Sequence, residues 1–373
     1  AFGESLKYLP VVIPFALATI VGGIDCTESA AAAGDEFHTP PQARGSYGTA
    51  EGGAAIAAAN EAEEMVVIRQ RAPIFRGREV IEEKKFLVDA FTDEAVKFIG
   101  DNKDRPFFLY LPFSMGHIPN LPSKEFVGKS RIGDYGDKLM EGDYHVGQIM
   151  DALKEMNIED NTILVFASDN GSTGQYMMTY DRLGLGAPDM GSNGPFRGDL
   201  GEATEGAVRT FCFIRWPGHI TPNTSSYAMF SIMDFMPTFA AILGAKLPTD
   251  RAIDGVNQLG MLTGKSKTGD REHLMSFIGA DLVAVRWKQW RMYFRDMNRT
   301  GTGQQMLGGI AANSVPMYYP KIYNIEMDPH EDLQLVNYES ISVNAFKIIQ
   351  EYLASVNKFP NPPPANLTNF IQR

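Results

Sequence analysis

Thr162-Ile-Leu-Val-Phe-Ala-Ser-Asp169-Asn170-Gly171-Ser172 is a hydrophobic run that stops on an acid, an amide and a glycine. Residues 163–168 are apolar or small, with β-branched and aromatic members. Such a run suits a strand covered on both faces of a parallel sheet. Open α/β sheets bind ligands just beyond the carboxyl ends of their strands. Asp169 and Asn170 stand at such an end and carry oxygen ligands suited to a hard cation. Gly171 lets the chain turn away without placing a side chain there. The same residues also describe a plain strand end followed by a polar turn, so both readings stand at this point.

The flanking chain alternates helix and strand patterns. In residues 86–99, Leu87, Ala90, Phe91, Ala95, Val96 and Ile99 recur at helical spacing, with Asp93 and Glu94 on the polar side and Gly100 as a stop. Residues 105–113 predict a strand bracketed by prolines, which ends on Ser114-Met-Gly-His117-Ile-Pro119. Residues 137–156 predict a second helix with Val146, Ile149, Met150, Leu153 and Met156 as its stripe. A polar, glycine-rich loop follows from Ser172 to Gly206; a loop of that length in a compact domain is more often functional than idle. It leads into a strand at 209–217. Asp234 then reads as the N-cap of a helix reaching Gly244, with Pro237 in its first turn. This order predicts a layered α/β domain with a largely parallel sheet.

Outside this region the character changes. Residues 1–65 are dominated by alanine and glycine with few large apolar anchors, so they predict an irregular segment. Within them, residues 10–23 are apolar, which fits a signal-peptide core or equally a strand plus loop. The chain also starts at Ala1, which points to a processed or partial sequence. Residues 246–373 predict an α+β subdomain: strands at 274–278, 282–287, 289–294 and 318–325, a helix at 343–356, and a polyproline-like tail. The expected organisation is therefore 1–65, 66–245 and 246–373.

Composition narrows the function. The formal net charge of -11 argues against binding a nucleic-acid backbone. There is no run of about 18 apolar residues, so no membrane span is expected. Two cysteines, Cys26 and Cys212, are too few for a disulfide framework, and no His/Cys cluster has zinc spacing.

Two predicted strand ends carry polar groups: His117 after one, Asp169-Asn170 after the other. The loop Gly194-Pro-Phe-Arg197-Gly-Asp-Leu200-Gly-Glu202-Ala-Thr-Glu205-Gly206 follows. Together they suit an anion beside a cation, with carboxylate and amide on the metal and His117 and Arg197 facing a tetrahedral anion. The bland counterparts are a hydrogen-bonding structural histidine and a loop staple from Arg197 to Glu202 or Glu205.

At these residues the chain resembles the sulfatases of the alkaline-phosphatase-like superfamily, over roughly Arg76 to Pro360. Pro106-Phe-Phe-Leu-Tyr-Leu-Pro-Phe-Ser-Met-Gly-His117-Ile-Pro is similar to the family's histidine segment. Asp143-Tyr-His-Val-Gly-Gln-Ile-Met-Asp-Ala-Leu, then Asp160-Asn-Thr-Ile-Leu-Val-Phe-Ala-Ser-Asp-Asn-Gly, is similar to its metal segment. Gly194-Pro-Phe-Arg-Gly, Glu205-Gly-Ala-Val-Arg and Ile214-Arg-Trp-Pro-Gly follow in the family's order. The resemblance implies an alkaline-phosphatase-like sheet with helices on both faces, and hydrolysis of the sulfate esters of small molecules or glycans. It makes Asp169 and Asn170 ligands of Ca2+ or Mg2+, and makes His117 a catalytic residue that contacts the sulfate ester; Arg197 stays the second substrate-binding candidate. A periplasmic or secreted location goes with it; the sequons at Asn223, Asn298 and Asn366 are compatible.

The chain departs from the family in its early part. The nucleophile of the family is a formylglycine made within Cys/Ser-x-Pro/Ala-x-Arg, and formylglycine is not identifiable here. The nearest string, Cys26-Thr-Glu-Ser-Ala30, lacks the arginine. The early aspartate pair is missing, Asp25 standing alone, as is the Gly-x-Trp-His-x-Gly segment; Leu200 stands where many members carry lysine. A hard cation takes about six oxygens, so a metal held by Asp169 and Asn170 alone is expected to bind weakly. Three readings stay open: a sulfatase, a catalytically inactive sulfatase-like protein or fragment, and a related phosphoesterase.

Overall fold

The computed structural model describes residues 74–116, 120–172, 191–198, 200–297, 314–336 and 338–360, together with the backbone of a strand at 15–19. The first of two units contains β1 (Phe15–Thr19), β2 (Ile74–Arg76), β3 (Glu79–Ile81), α1 (Leu87–Asn102), β4 (Phe108–Tyr110), α2 (Gly133–Glu155), β5 (Ile163–Ala167), α3 (Glu205–Val208) and β6 (Cys212–Arg215). The second contains α4 (Phe235–Leu243), α5 (Leu259–Leu262), β7 (His273–Ile278), β8 (Asp281–Trp287), β9 (Trp290–Met297), β10 (Ser314–Asn324) and α6 (Glu339–Lys358). The division falls between Asn223 and Thr224, earlier than the boundary expected at 245, so α4 belongs to the second unit.

In the first unit the sheet order is β4-β1-β5-β6. β1 runs parallel to β4 and β5, while β6 closes the edge antiparallel to β5. The sheet is thus parallel except at one edge. β1 falls within residues 10–23, where the sequence fits a strand plus loop as well as a signal-peptide core. Its backbone pairs with a neighbour on each side.

β5 is buried on both faces, as its composition predicts. Leu164 points toward α1 and α2, into a core with Val88, Ala95, Ile99, Ile149 and Leu153. Ile163 and Val165, on the opposite face, are also buried. α1 buries Val88, Ala90, Ala95 and Ile99 and exposes Asp93 and Glu94. The two helices are joined by His145, whose Nδ1 lies 3.0 Å from Thr92 Oγ1 and whose Nε2 lies 3.3 Å from Asp89.

α2 begins at Gly133, one turn before the expected Asp137. Its first turns are buried through polar groups, which an apolar stripe does not reveal. The Asp137 carboxylate accepts from the amides of Gly128 and Ser130, each at 2.6 Å, and Lys138 pairs with buried Glu141 at 2.9 Å.

The second unit is a four-stranded antiparallel sheet, β10-β9-β8-β7, with α6 packed on it. Ile341, Ala345 and Ile348 of α6 meet Val285, Met292 and Ile322. All four expected strands and the expected helix are present. Asp234 stands at the N-cap position of α4, as expected, but its side chain makes no cap bond to that helix. Ser231 caps a 3-10 turn at Ile232–Asp234 that leads into α4, and Asp234 closes the capping box by accepting from Ser231 N at 2.9 Å. Asp234 is fully buried, and Arg271 holds its carboxylate in a fork.

Candidate functional site

β1, β4 and β5 point the same way, so the chain leaves all three at one edge of the sheet. Past Ala167, β5 gives way to Ser168, Asp169 and Asn170, all half-buried. Asp169 Oδ1 accepts from the backbone N–H of Asn170 at 2.9 Å and from Ser168 Oγ at 3.3 Å, local bonds that hold the carboxylate at the strand end. The Asn170 Nδ2 donates to Gly171 O at 2.8 Å.

Gly171 is glycine for a reason other than the turn expected of it: its φ is not positive. A side chain there would collide with the carbonyl oxygen of Gly206. A side chain on Gly206 would in turn come within 2.6 Å of the carbonyls of Arg197 and Gly198. Three stretches of backbone therefore stack directly on one another. Hydrogen bonds fix the stack: Gly171 N to Ala207 O at 2.9 Å, Gly206 N to Arg197 O at 2.7 Å, and Leu200 N to Ser172 O at 3.0 Å.

Arg197 is thereby tied through its main chain to the loop that follows Asp169 and Asn170. It is half-buried. Its neighbour Phe196 lies beneath the Arg209 guanidinium at 4.2 Å, and Arg209 pairs with buried Glu205 at 2.6 Å. In the same loop Glu205 binds Arg209, and Glu202 accepts from Thr204 at 3.0 Å. Leu200 is half-buried in the same loop.

Sequence reasoning missed two contributors. Asn193 bonds both stretches: its Oδ1 accepts from Ser172 N at 2.6 Å, and its Nδ2 donates to Gly198 O at 2.7 Å and to Ser172 O at 3.3 Å. The signal was the Asn-Gly pair at 193–194, which marks a tight turn. Tyr135 of α2 places its hydroxyl against Gly191, where a side chain would approach it to 2.7 Å. Burial raises the Tyr135 phenol above its ordinary pKa.

His117 and Cys26 lie outside the described residues. The segment leading to His117 leaves β4 at the same sheet edge as Asp169 and is anchored by buried Phe113 and Met115. The Asp169 carboxylate and an amide oxygen are the right donors for a hard cation. Among the described residues, no group of three or more His, Cys, Asp or Glu side chains could hold a metal ion. Among the described residues, no helix is long and apolar enough to cross a membrane.

The sequence pattern of the family described as Sulfatase matches residues 38–245, beginning earlier than the resemblance at Arg76. The steryl-sulfatase of Mus musculus is 36% identical over 222 residues, 58% of this chain and 35% of that protein. The N-acetylgalactosamine-6-O-sulfatase of Bacteroides thetaiotaomicron is 31% identical over 258 residues, 68% of this chain and 48% of that protein. The crystal structure of the PsFucS1 sulfatase from Pseudoalteromonas sp. superimposes with a TM-score of 0.69 at 24% identity, over 83% of this chain and 63% of that one. That likeness establishes the fold, the layered α/β arrangement of the alkaline-phosphatase-like type. The chain spans less than half the length of either curated relative.

Proposed function

Because the chain belongs to the sulfatase family, we propose that Asp169, Asn170 and Arg197 form part of a site for a hard divalent cation and a sulfate ester. Asp169 and Asn170 hold Ca2+ or Mg2+ through a carboxylate and an amide oxygen, with water or further groups completing the shell. When bound, the ion supplies positive charge beside the sulfate oxygens. Arg197 donates to those oxygens, its planar fork matching a tetrahedral oxyanion. His117 is the second donor to the ester. The observation that carries this reading is the backbone stack at Gly171, Gly206 and Arg197, which ties the anion-binding loop to the strand end bearing Asp169.

Hydrolysis needs an activated nucleophile, and the sequence contains no Cys/Ser-x-Pro/Ala-x-Arg string. That observation favours a second reading, in which this chain binds a sulfate ester of a small molecule or glycan without cleaving it. An aryl sulfate assay with added calcium tests both. Turnover by the wild type that is lost in Asp169→Ala and Arg197→Ala supports the hydrolase. Binding without turnover, lost in the same variants, supports the second reading. Neither binding nor turnover would remove both.

A further inference from the structure

We infer that Asn193 is a positioning residue, whose side-chain amide couples the cation-binding strand end to the anion-binding loop. This rests on the reading of Asp169, Asn170 and Arg197 given above. The two stretches are 21 positions apart at the Ser172 bond, and among the described residues no strand ladder joins them. One side-chain amide reinforces the backbone bond between them, Leu200 N to Ser172 O at 3.0 Å. Its Oδ1 accepts from Ser172 N, while its Nδ2 donates both to Ser172 O and to Gly198 O. Ser172 is two residues beyond Asn170, and Gly198 directly follows Arg197. Ser172 O also accepts from Leu200 N, so the same carbonyl serves both loops.

The residue type follows from the geometry. The bonds need one acceptor and two donors at the end of a short stem, which only asparagine provides. Alanine loses all three bonds. Aspartate keeps the acceptor for Ser172 N and loses both donors. Opposite charges a few ångströms apart attract strongly only when their separation is held. A residue that sets the spacing of the two loops therefore sets how far a bound cation strengthens anion binding, without touching either ion.

The test compares wild type, Asn193→Ala and Asn193→Asp in the whole chain. Amide hydrogen exchange is measured first, with no ion added. In Asn193→Ala, exchange is expected to accelerate about ten-fold or more at Ser172, and also at Leu200 and Gly206, whose amides Asn193 does not touch; Val165 in β5 stays unchanged. Acceleration at Ser172 alone would overturn the inference. Calcium and inorganic sulfate are then titrated singly and together by calorimetry. The wild type is expected to bind sulfate about five-fold or more tightly with calcium present. In Asn193→Ala each ion alone binds within about three-fold of wild type, while the enhancement falls below about two-fold. An unchanged enhancement would overturn the inference. If Asn193→Ala does not fold, Asn193→Asp must show the accelerated exchange at Leu200 with Ser172 still protected, and uniform protection would overturn it. If the wild type binds neither ion, the site reading fails, which the exchange data distinguish from a failure at Asn193.

Discussion

The carbonyl oxygen of Gly206 occupies the space where a side chain at Gly171 would begin. The contact is backbone on backbone, so neither side can yield by rotating a side chain. Gly171→Ala is expected to lower stability by about 1–3 kcal/mol through overpacking. Urea denaturation measures it, and a midpoint equal to wild type would show that the stack is loose.

Gly147 gives the opposite outcome. It lies inside α2 with open space where a side chain would stand and an ordinary helical backbone. Gly147→Ala is expected to stabilise by about 0.5–1 kcal/mol, because alanine loses less backbone freedom in a helix. The same urea titration reads this gain.

The Asp234–Arg271 pair tests the second unit. Arg271 donates to Asp234 Oδ2 through Nε at 2.9 Å and to Oδ1 through Nη2 at 2.5 Å, and the Val256 amide donates to Oδ1 at 2.7 Å. Removing one partner strands a buried charge, which costs about 3–5 kcal/mol. Asp234→Ala is expected to lose that much stability, with hydrogen exchange rising across β7–β9. A loss below about 1 kcal/mol would contradict the account.

His273 contributes a pH dependence. Partial burial, helped by the Arg271 guanidinium, lowers its pKa below the ordinary histidine value. The unfolded chain then takes up a proton near pH 6.5 while the folded chain does not. This contribution is complete above about pH 6.5 and is lost as the pH falls toward the folded-state pKa. Urea midpoints from pH 8 to 5.5 are expected to fall more steeply for wild type than for His273→Gln. Equal slopes would remove His273 as the cause.

The second unit was legible because each strand there alternates or clusters its apolar residues, and α6 carries a clear stripe in Ile341, Ala345 and Ile348. The strand ending at Asp169 was legible for the same reason: four of its five residues are buried. β1 was ambiguous, since Phe-Ala-Leu-Ala-Thr suits a signal core and a strand alike. Its place depends on pairing with residues about 90 and 150 positions away, which local periodicity does not contain. The first turns of α2 were hidden because Asp137 and Glu141 are buried by hydrogen bonding and ion pairing rather than by apolar packing. Within the site, residue chemistry singled out Asp169, Asn170 and Arg197. The roles of Asn193 and Gly206 arise from contacts between backbones distant in sequence, so residue type alone carried little sign of them.

A calcium titration followed by calorimetry tests the central claim most directly, because it asks whether the strand end after β5 is a cation site. Wild type is expected to bind one calcium ion weakly, with Kd on the order of 0.1–1 mM, as suits a shell with few protein ligands. Asp169→Ala is expected to show no binding heat while keeping its unfolding midpoint within about 1 kcal/mol of wild type. Equal calcium binding by wild type and Asp169→Ala, or none by either, would contradict it.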